Sequence, residues 1–291
     1  MPGTSGLAFA GARFRIPEGC RYVCVQDPGT PDVGDFLKIG LLRWLVAPSP
    51  YGRGHRLGVV WLRAADEAVA PDGEPAVWLD PSSEAGQDLR PLDRDLYDRL
   101  RTNVALGDQS VSALEAAGAL PKGTVFFDRV LSFADLSSAD GAKRTIRRER
   151  LFHEAMVAVG SCSLVFVDSD EGLRHADDSV LSSRLPAGDD ISLAEVGRLL
   201  DRGQSVVTHH LVDGSDAVAE QVESRMTDIY ETLGAEPLAA VRGSRGGTRL
   251  FIVIPHPGHR LDLQHRIGAL QMSRWGDEFR VYRWRREMAL V

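Results

Sequence analysis

Ser163-Leu164-Val165-Phe166-Val167, followed by Asp168-Ser169-Asp170-Glu171-Gly172, decides the fold of this chain. The apolar run is unbroken, too short for a helix, and ends in residues that favour turns. That is the pattern of a strand buried on both faces, as in a parallel sheet covered by helices. Upstream, Leu57–Leu62 (LGVVWL) is a second such run and Thr124–Phe127 a third; downstream, Ser205–Thr208 is a fourth. Helical segments separate them. Asp35–Val46 follows a cap at Asp32 and carries Leu37, Leu41, Leu42 and Leu45 on one stripe. Asp93–Leu106, Ser110–Ala117 (stopped by Gly118), Lys143–Val159, Ser192–Leu200 (capped at Ser192, stopped near Gly203) and Asp216–Leu233 read likewise. Strands alternating with helices imply right-handed crossovers and a mostly parallel sheet.

The last fifty residues depart from this rhythm. Leu238–Val241 and Arg249–Ile254 bracket a turn-like Gly243–Gly247 segment and read as an antiparallel hairpin. A helix near Leu261–Trp275 and a strand at Phe279–Tyr282 follow, while Arg21–Gln26 and Val77–Leu79 are further short strand candidates. The expected architecture is one α/β domain over residues 1–291. It has three layers, Rossmann-like, with a mostly parallel twisted sheet and a C-terminal antiparallel hairpin. Two long loops, Ala64–Leu92 and Gly172–Asp190, are rich in Pro, Gly, Ser and Asp.

Composition narrows the class. The chain has 291 residues, of which 43% are hydrophobic and 26% charged, so it can bury a full core. No apolar run approaches the roughly 20 residues of a membrane helix, and the first residues lack a signal-peptide pattern. The three cysteines, Cys20, Cys24 and Cys162, form neither a disulfide framework nor a zinc ribbon. A cytoplasmic protein is expected. The net charge of −7 argues against a protein built mainly to coat nucleic acid. Only Lys38, Lys122 and Lys143 are lysines, so arginine abundance is a property of the whole chain; residues 241–291 nevertheless hold ten arginines against four acids.

Chemistry in such sheets gathers at the carboxyl ends of strands. Asp168 leaves the most apolar strand there, with Asp170 and Glu171 close behind; these carboxylates are candidates to bind substrate or a divalent cation, or simply to end the strand in a turn. His209 and His210 end the Ser205–Thr208 strand and, being adjacent, point to opposite faces. Either His210 acts as general acid or base and His209 touches substrate, or the two are one packed and one exposed histidine. Asp35 and Lys38 share a helix face, as a local ion pair at the helix start or as part of the site mouth. Arg144, Arg147 and Arg148 form a basic face, either solvated or meeting substrate phosphate. Cys162 reads as core. The phosphate-loop, zinc-protease and serine-hydrolase elbow motifs do not occur.

The order of motifs resembles an uncharacterised bacterial and phage family. That family carries a GD-x-x-K helix, a VF-x-DPDNG-like strand end, a GQS-x-V-x-x-HH strand and a final R-x-F-x-V-x-P strand. Here these read Gly34–Lys38, Val165–Gly172, Gly203–His210 and Arg249–Pro255, across roughly residues 20–285. The family brings no stated activity. A looser resemblance is to class I methyltransferases, whose parallel sheet also ends in an antiparallel pair, and within them to adenine-N6 enzymes acting on ribosomal RNA. In those, a DPP-type motif after the fourth strand binds the target amine beside S-adenosylmethionine, and Asp168 matches its first residue. Ser169 stands where proline is expected, no aromatic residue follows, and Leu57–Arg63 lacks the glycine-rich turn that cradles the methionine moiety.

Three expectations follow for function. The first is a methyltransferase-like enzyme using S-adenosylmethionine on a nucleic acid or nucleotide. The second is a metal-assisted hydrolase or nuclease using Asp168, Asp170 and a histidine. The third is a non-catalytic nucleotide- or protein-binding member of the fold.

Overall fold

The computed structural model describes residues 32–50, 52–64, 77–105, 115, 117–137, 140–169, 172–174, 190–212, 217–245 and 249–284. Its centre is the strand expected from Ser163–Val167, here β4 (Leu164–Ser169), every residue of which is buried. β4 pairs in parallel with β1 (Leu57–Ala64) on one side and β7 (Ser205–Leu211) on the other. β1 also pairs in parallel with β2 (Val125–Phe127) and with the short β3 (Val130–Leu131). Beyond β7 the direction reverses. β9 (Arg249–Ile254) runs antiparallel to β7 and to β8 (Ala239–Gly243), and β10 (Phe279–Arg283) runs antiparallel to β8 at the far edge. The order is therefore β10-β8-β9-β7-β4-β1-β2, and the expected hairpin places its second strand inside the sheet. A separate parallel pair joins β5 (Gly172–Leu173) to β6 (Asp190–Ile191), the two ends of an expected long loop.

Alternation of side chains sends each strand into two apolar layers. On one face Leu57, Val59, Leu164, Phe166, Val207, Val241, Phe251 and Val253 pack under α1 (Val33–Val46), α3 (Arg94–Ala105) and α7 (Arg260–Gln271). On the other, Val60, Leu62, Val165, Val167, Val206, Leu250, Ile252 and Ile254 pack under α4 (Gly141–Ala158), α5 (Leu193–Asp201) and α6 (Val218–Leu233). The described residues thus form a mixed α/β, three-layered arrangement with a mostly parallel central sheet, compatible with a Rossmann-like fold. Burying each large apolar side chain contributes about 1.5–3 kcal/mol. Among the described residues no helix is long and apolar enough to cross a membrane.

Local signals explain the helix starts. Asp32 and Asp35 form a reciprocal capping box for α1, and Ser192 and Glu195 form one for α5. Several expectations are corrected. Val77–Leu79 is a 3-10 turn rather than a strand: Trp78 and Leu79 bury against the first layer, and the Tyr97 hydroxyl donates to the Trp78 carbonyl. The Ala64–Leu92 stretch contains α2 (Glu84–Leu89), whose Gly86 lies so close to the Asp80 carbonyl that a Cβ would sit 2.0 Å from it. The helix expected to reach Trp275 ends at Gln271; Ser273 then caps a 3-10 turn over Arg274–Asp277. The Arg21–Gln26 strand and nearly all of the Ser110–Ala117 helix lie outside the described residues.

Candidate functional site at the carboxyl ends of the central strands

The first turn of α1 lies over the carboxyl ends of β4 and β7. Lys38 Nζ donates to Asp168 Oδ2 at 2.8 Å and lies 3.1 Å from Asp35 Oδ1. Arg249, the first residue of β9, closes the other side of the cluster. Its guanidinium meets both Asp32 oxygens at 3.0 Å and Asp35 Oδ1 at 3.2 Å. Trp61 on β1 stands in register with Asp168, and Lys38 Nζ lies 5.5 Å from the centroid of its ring. Two cations therefore face three carboxylates.

Burial alone pushes the Asp168 carboxyl upward, but Lys38 and His209 outweigh it and hold Asp168 below its ordinary value. Asp35 is likewise lowered, by Lys38 and Arg249 against its burial. Lys38 is pushed up by Asp168 and Asp35 despite burial. All three groups are thus charged near neutral pH. Asp168 is 7% exposed. Its second oxygen, Oδ1, is not the one held by Lys38 and has His209 Nδ1 at 3.6 Å, beyond hydrogen-bond distance.

His209 is buried, and burial lowers its pKa enough to outweigh Asp168, so the ring is neutral. Its Nδ1 lies 3.2 Å from the Ser169 carbonyl oxygen. A carbonyl can only accept, so Nδ1 carries the proton and Nε2 is a bare lone pair. Nε2 is buried and has no hydrogen-bond partner; the Ser169 hydroxyl, also buried without one, alternates to the opposite sheet face with Val165 and Val167. Buried polar atoms are rarely left so, and a bare imidazole nitrogen on the same face as a strand-end carboxylate marks a place for a polar ligand.

The structure brings together Asp35, Lys38, Asp168 and His209. Asp170 and Glu171 lie outside the described residues. His210 points to the opposite sheet face, where Arg225 Nε on α6 donates to its Nε2 at 3.1 Å. Gly172, at φ +79°, packs so close that a Cβ would meet His210 Nδ1 at 2.9 Å. The histidine beside Asp168 is therefore His209, correcting the roles expected of the pair.

Arg148 is also corrected. It is buried, pairs with Glu195 through two bonds of 2.9 and 2.8 Å and lies 3.2 Å from Asp190. Arg147 binds Asp135 in a fork and donates to the Ser132 carbonyl. Their donors are taken up holding α4 in place. The C-terminal arginine excess is dispersed as well: Arg245 pairs with Asp88 and Glu278, Arg260 with Glu236, and Arg266 with Asp262. Among the described residues no three His, Cys, Asp or Glu side chains are grouped to hold a metal ion.

Sequence reasoning missed Arg249 and Trp61. Arg249 opens the quoted Arg249–Pro255 strand, where a cation before an apolar run was a usable signal. Trp61 is an aromatic residue in register with Asp168, contributed by the neighbouring strand. Neither a comparison with protein-family models nor one with curated proteins finds a match for this chain.

Proposed function

We propose that this chain is a methyltransferase-like enzyme that uses S-adenosylmethionine, with the amine of a nucleotide or nucleic-acid base as methyl acceptor at Asp168. The observation that carries this reading is the place of Asp168 in the strand order. It is the penultimate residue of β4, next to β1, in a sheet where a reversed strand, β9, is inserted between two that run with the rest and a second reversed strand, β10, lies at the edge. The inserted reversed strand resembles the antiparallel ending expected of a class I methyltransferase sheet, and this analogy of fold supports the reading. A polar ligand fits there because His209 Nε2, on the same face as Asp168, is buried and unsatisfied.

S-adenosylmethionine, when bound, supplies an electrophilic methyl group. The protein's own contribution follows from the geometry. Lys38 keeps Asp168 ionised, and Asp168 Oδ1 accepts an N–H of the acceptor amine. His209 Nε2, fixed as the bare nitrogen, accepts a second hydrogen and takes the proton that the amine must lose. Trp61 offers a planar face to a base. Residues 65–76, after β1, lie outside the described residues, and no role is assigned to them.

Asp168→Asn tests this reading. It keeps the shape and removes the charge. Transfer of labelled methyl groups to RNA, DNA or nucleotides should fall by orders of magnitude while the circular-dichroism spectrum is unchanged. Full turnover in the variant contradicts the assignment.

A further inference from the structure

At the other end of the sheet, below the amino ends of β1 and β4, a second group of polar side chains is organised around His55. His55 Nε2 lies 2.9 Å from Asp262 Oδ2, and His55 Nδ1 lies 3.2 Å from Ser163 Oγ. The proton positions follow from the partners. Asp262 is held below the ordinary carboxylate range by Arg266 and His55, against its burial, so it is an acceptor. Burial holds His55 below the ordinary histidine value, so the ring is neutral and its single proton sits on Nε2, facing Asp262. Nδ1 is therefore bare, and the Ser163 hydroxyl donates to it. Ser163 Oγ in turn accepts the Arg56 backbone N–H at 3.1 Å.

Each member is fixed from outside. Asp262 also accepts from Arg266 Nε at 2.7 Å and from Ser49 Oγ at 3.2 Å, and the Arg266 guanidinium reaches back to the Ala47 carbonyl. His55 follows Gly54, whose φ of +92° and approach to the Val46 carbonyl leave no room for a Cβ. The His55 side chain is 6% exposed and that of Asp262 17%, while Ser163 reaches the surface in part. A hydroxyl donating to a bare imidazole nitrogen, whose other N–H is held by a partly buried carboxylate, is the arrangement that activates a serine as a nucleophile. Here the two ring nitrogens exchange places relative to the usual serine triad, which leaves the proton path intact. The ring of His259 lies against that of His55, centroids 5.0 Å apart, and its Nδ1 pairs with Ser205 Oγ at 3.0 Å.

The geometry points to Ser163 as a nucleophile for acyl transfer, with His55 as its base, Asp262 as the positioning carboxylate, and an activated carboxylic ester as substrate. In the forward step Ser163 Oγ bonds to the acyl carbon, its proton passes to His55 Nδ1, the bond to the alcohol breaks, and the alcohol leaves with that proton. Water then attacks the acyl-serine, giving its proton to His55, and the carboxylic acid departs as Ser163 regains a hydrogen. No atom of this site belongs to the Asp168 cluster, so the two readings stand or fall separately.

The test treats the full chain with an alkyl fluorophosphonate, maps the adduct by peptide mass spectrometry, and measures p-nitrophenyl acetate turnover. The expected result is a single adduct on Ser163 of the unaltered chain. Labelling and turnover should be lost in Ser163→Ala and slowed by about a hundredfold or more in His55→Gln. Absence of a Ser163 adduct on the folded, unaltered chain overturns the proposal, whatever the variants do. So does turnover by folded Ser163→Ala at the original rate.

Discussion

Lys38 Nζ and Asp168 Oδ2, 130 positions apart in sequence, meet at 2.8 Å and tie the first helix to the central strand of the sheet. The pair is nearly removed from water, with side chains 13% and 10% exposed. A buried ion pair seldom stabilises a fold more than apolar residues of the same size would, so its presence at a strand end favours a role in a site. It also makes the pair sensitive to loss of one member.

Lys38→Met removes the partner of Asp168 and one partner of Asp35 and should destabilise the protein by about 3–5 kcal/mol in urea unfolding. The double variant Lys38→Met/Asp168→Asn should be less destabilised than the sum of the two single changes, because it leaves no orphaned charge at Asp168. Strict additivity would show that the two side chains do not interact in solution.

The pH dependence follows from the same cluster. Asp168 and Asp35 have folded values below their ordinary 3.8. A carboxylate lowered by folding stabilises the native state above its unfolded value, and that contribution is lost as pH falls through the lower, folded value. Stability of the native chain should therefore drop steeply below about pH 4. Asp168→Asn should flatten that drop, as followed by unfolding at fixed ionic strength. An unchanged slope would mean that Asp168 titrates alike in both states.

Arg148→Glu is expected to destabilise the fold, by about 3–5 kcal/mol or more, since it sets a buried carboxylate against Glu195 and Asp190. Any loss of nucleic-acid binding in that variant should track unfolding rather than salt. A folded Arg148→Glu protein with a reduced salt slope would restore Arg148 as a phosphate contact.

Gly40, in the middle of α1, is required by its neighbour rather than by its backbone. A Cβ there would fall 2.3 Å from the indole of Trp275. Gly40→Ala should cost about 1–3 kcal/mol through overpacking, despite alanine's higher helix propensity. A stabilised Gly40→Ala protein would show that Trp275 moves aside at little cost.

What the sequence made legible was local or periodic. The Asp32 cap, the Ser192 cap and the β4 run depend on residues a few positions apart, and each is found where expected. That His209 and His210 point apart is also a local fact. Which one meets Asp168 is not, because it depends on which sheet face α1 covers. The Lys38–Asp168 and Arg249–Asp32 contacts join residues 130 and 217 positions apart and require the strand order, which local pattern does not contain. Arg148 is the instructive miss. It shares its helix stripe with Leu151, Phe152 and Ala155, all buried, so the periodicity already placed it inward. The charge run drew attention to the opposite reading.

Calorimetric titration of the folded full chain with S-adenosylmethionine and with its demethylated product decides whether the Asp168 site serves methyl transfer. Saturable binding of at least one of them is expected at micromolar concentration or tighter, with competition between the two. No heat and no competition with either compound, on protein shown to be folded, would contradict that role.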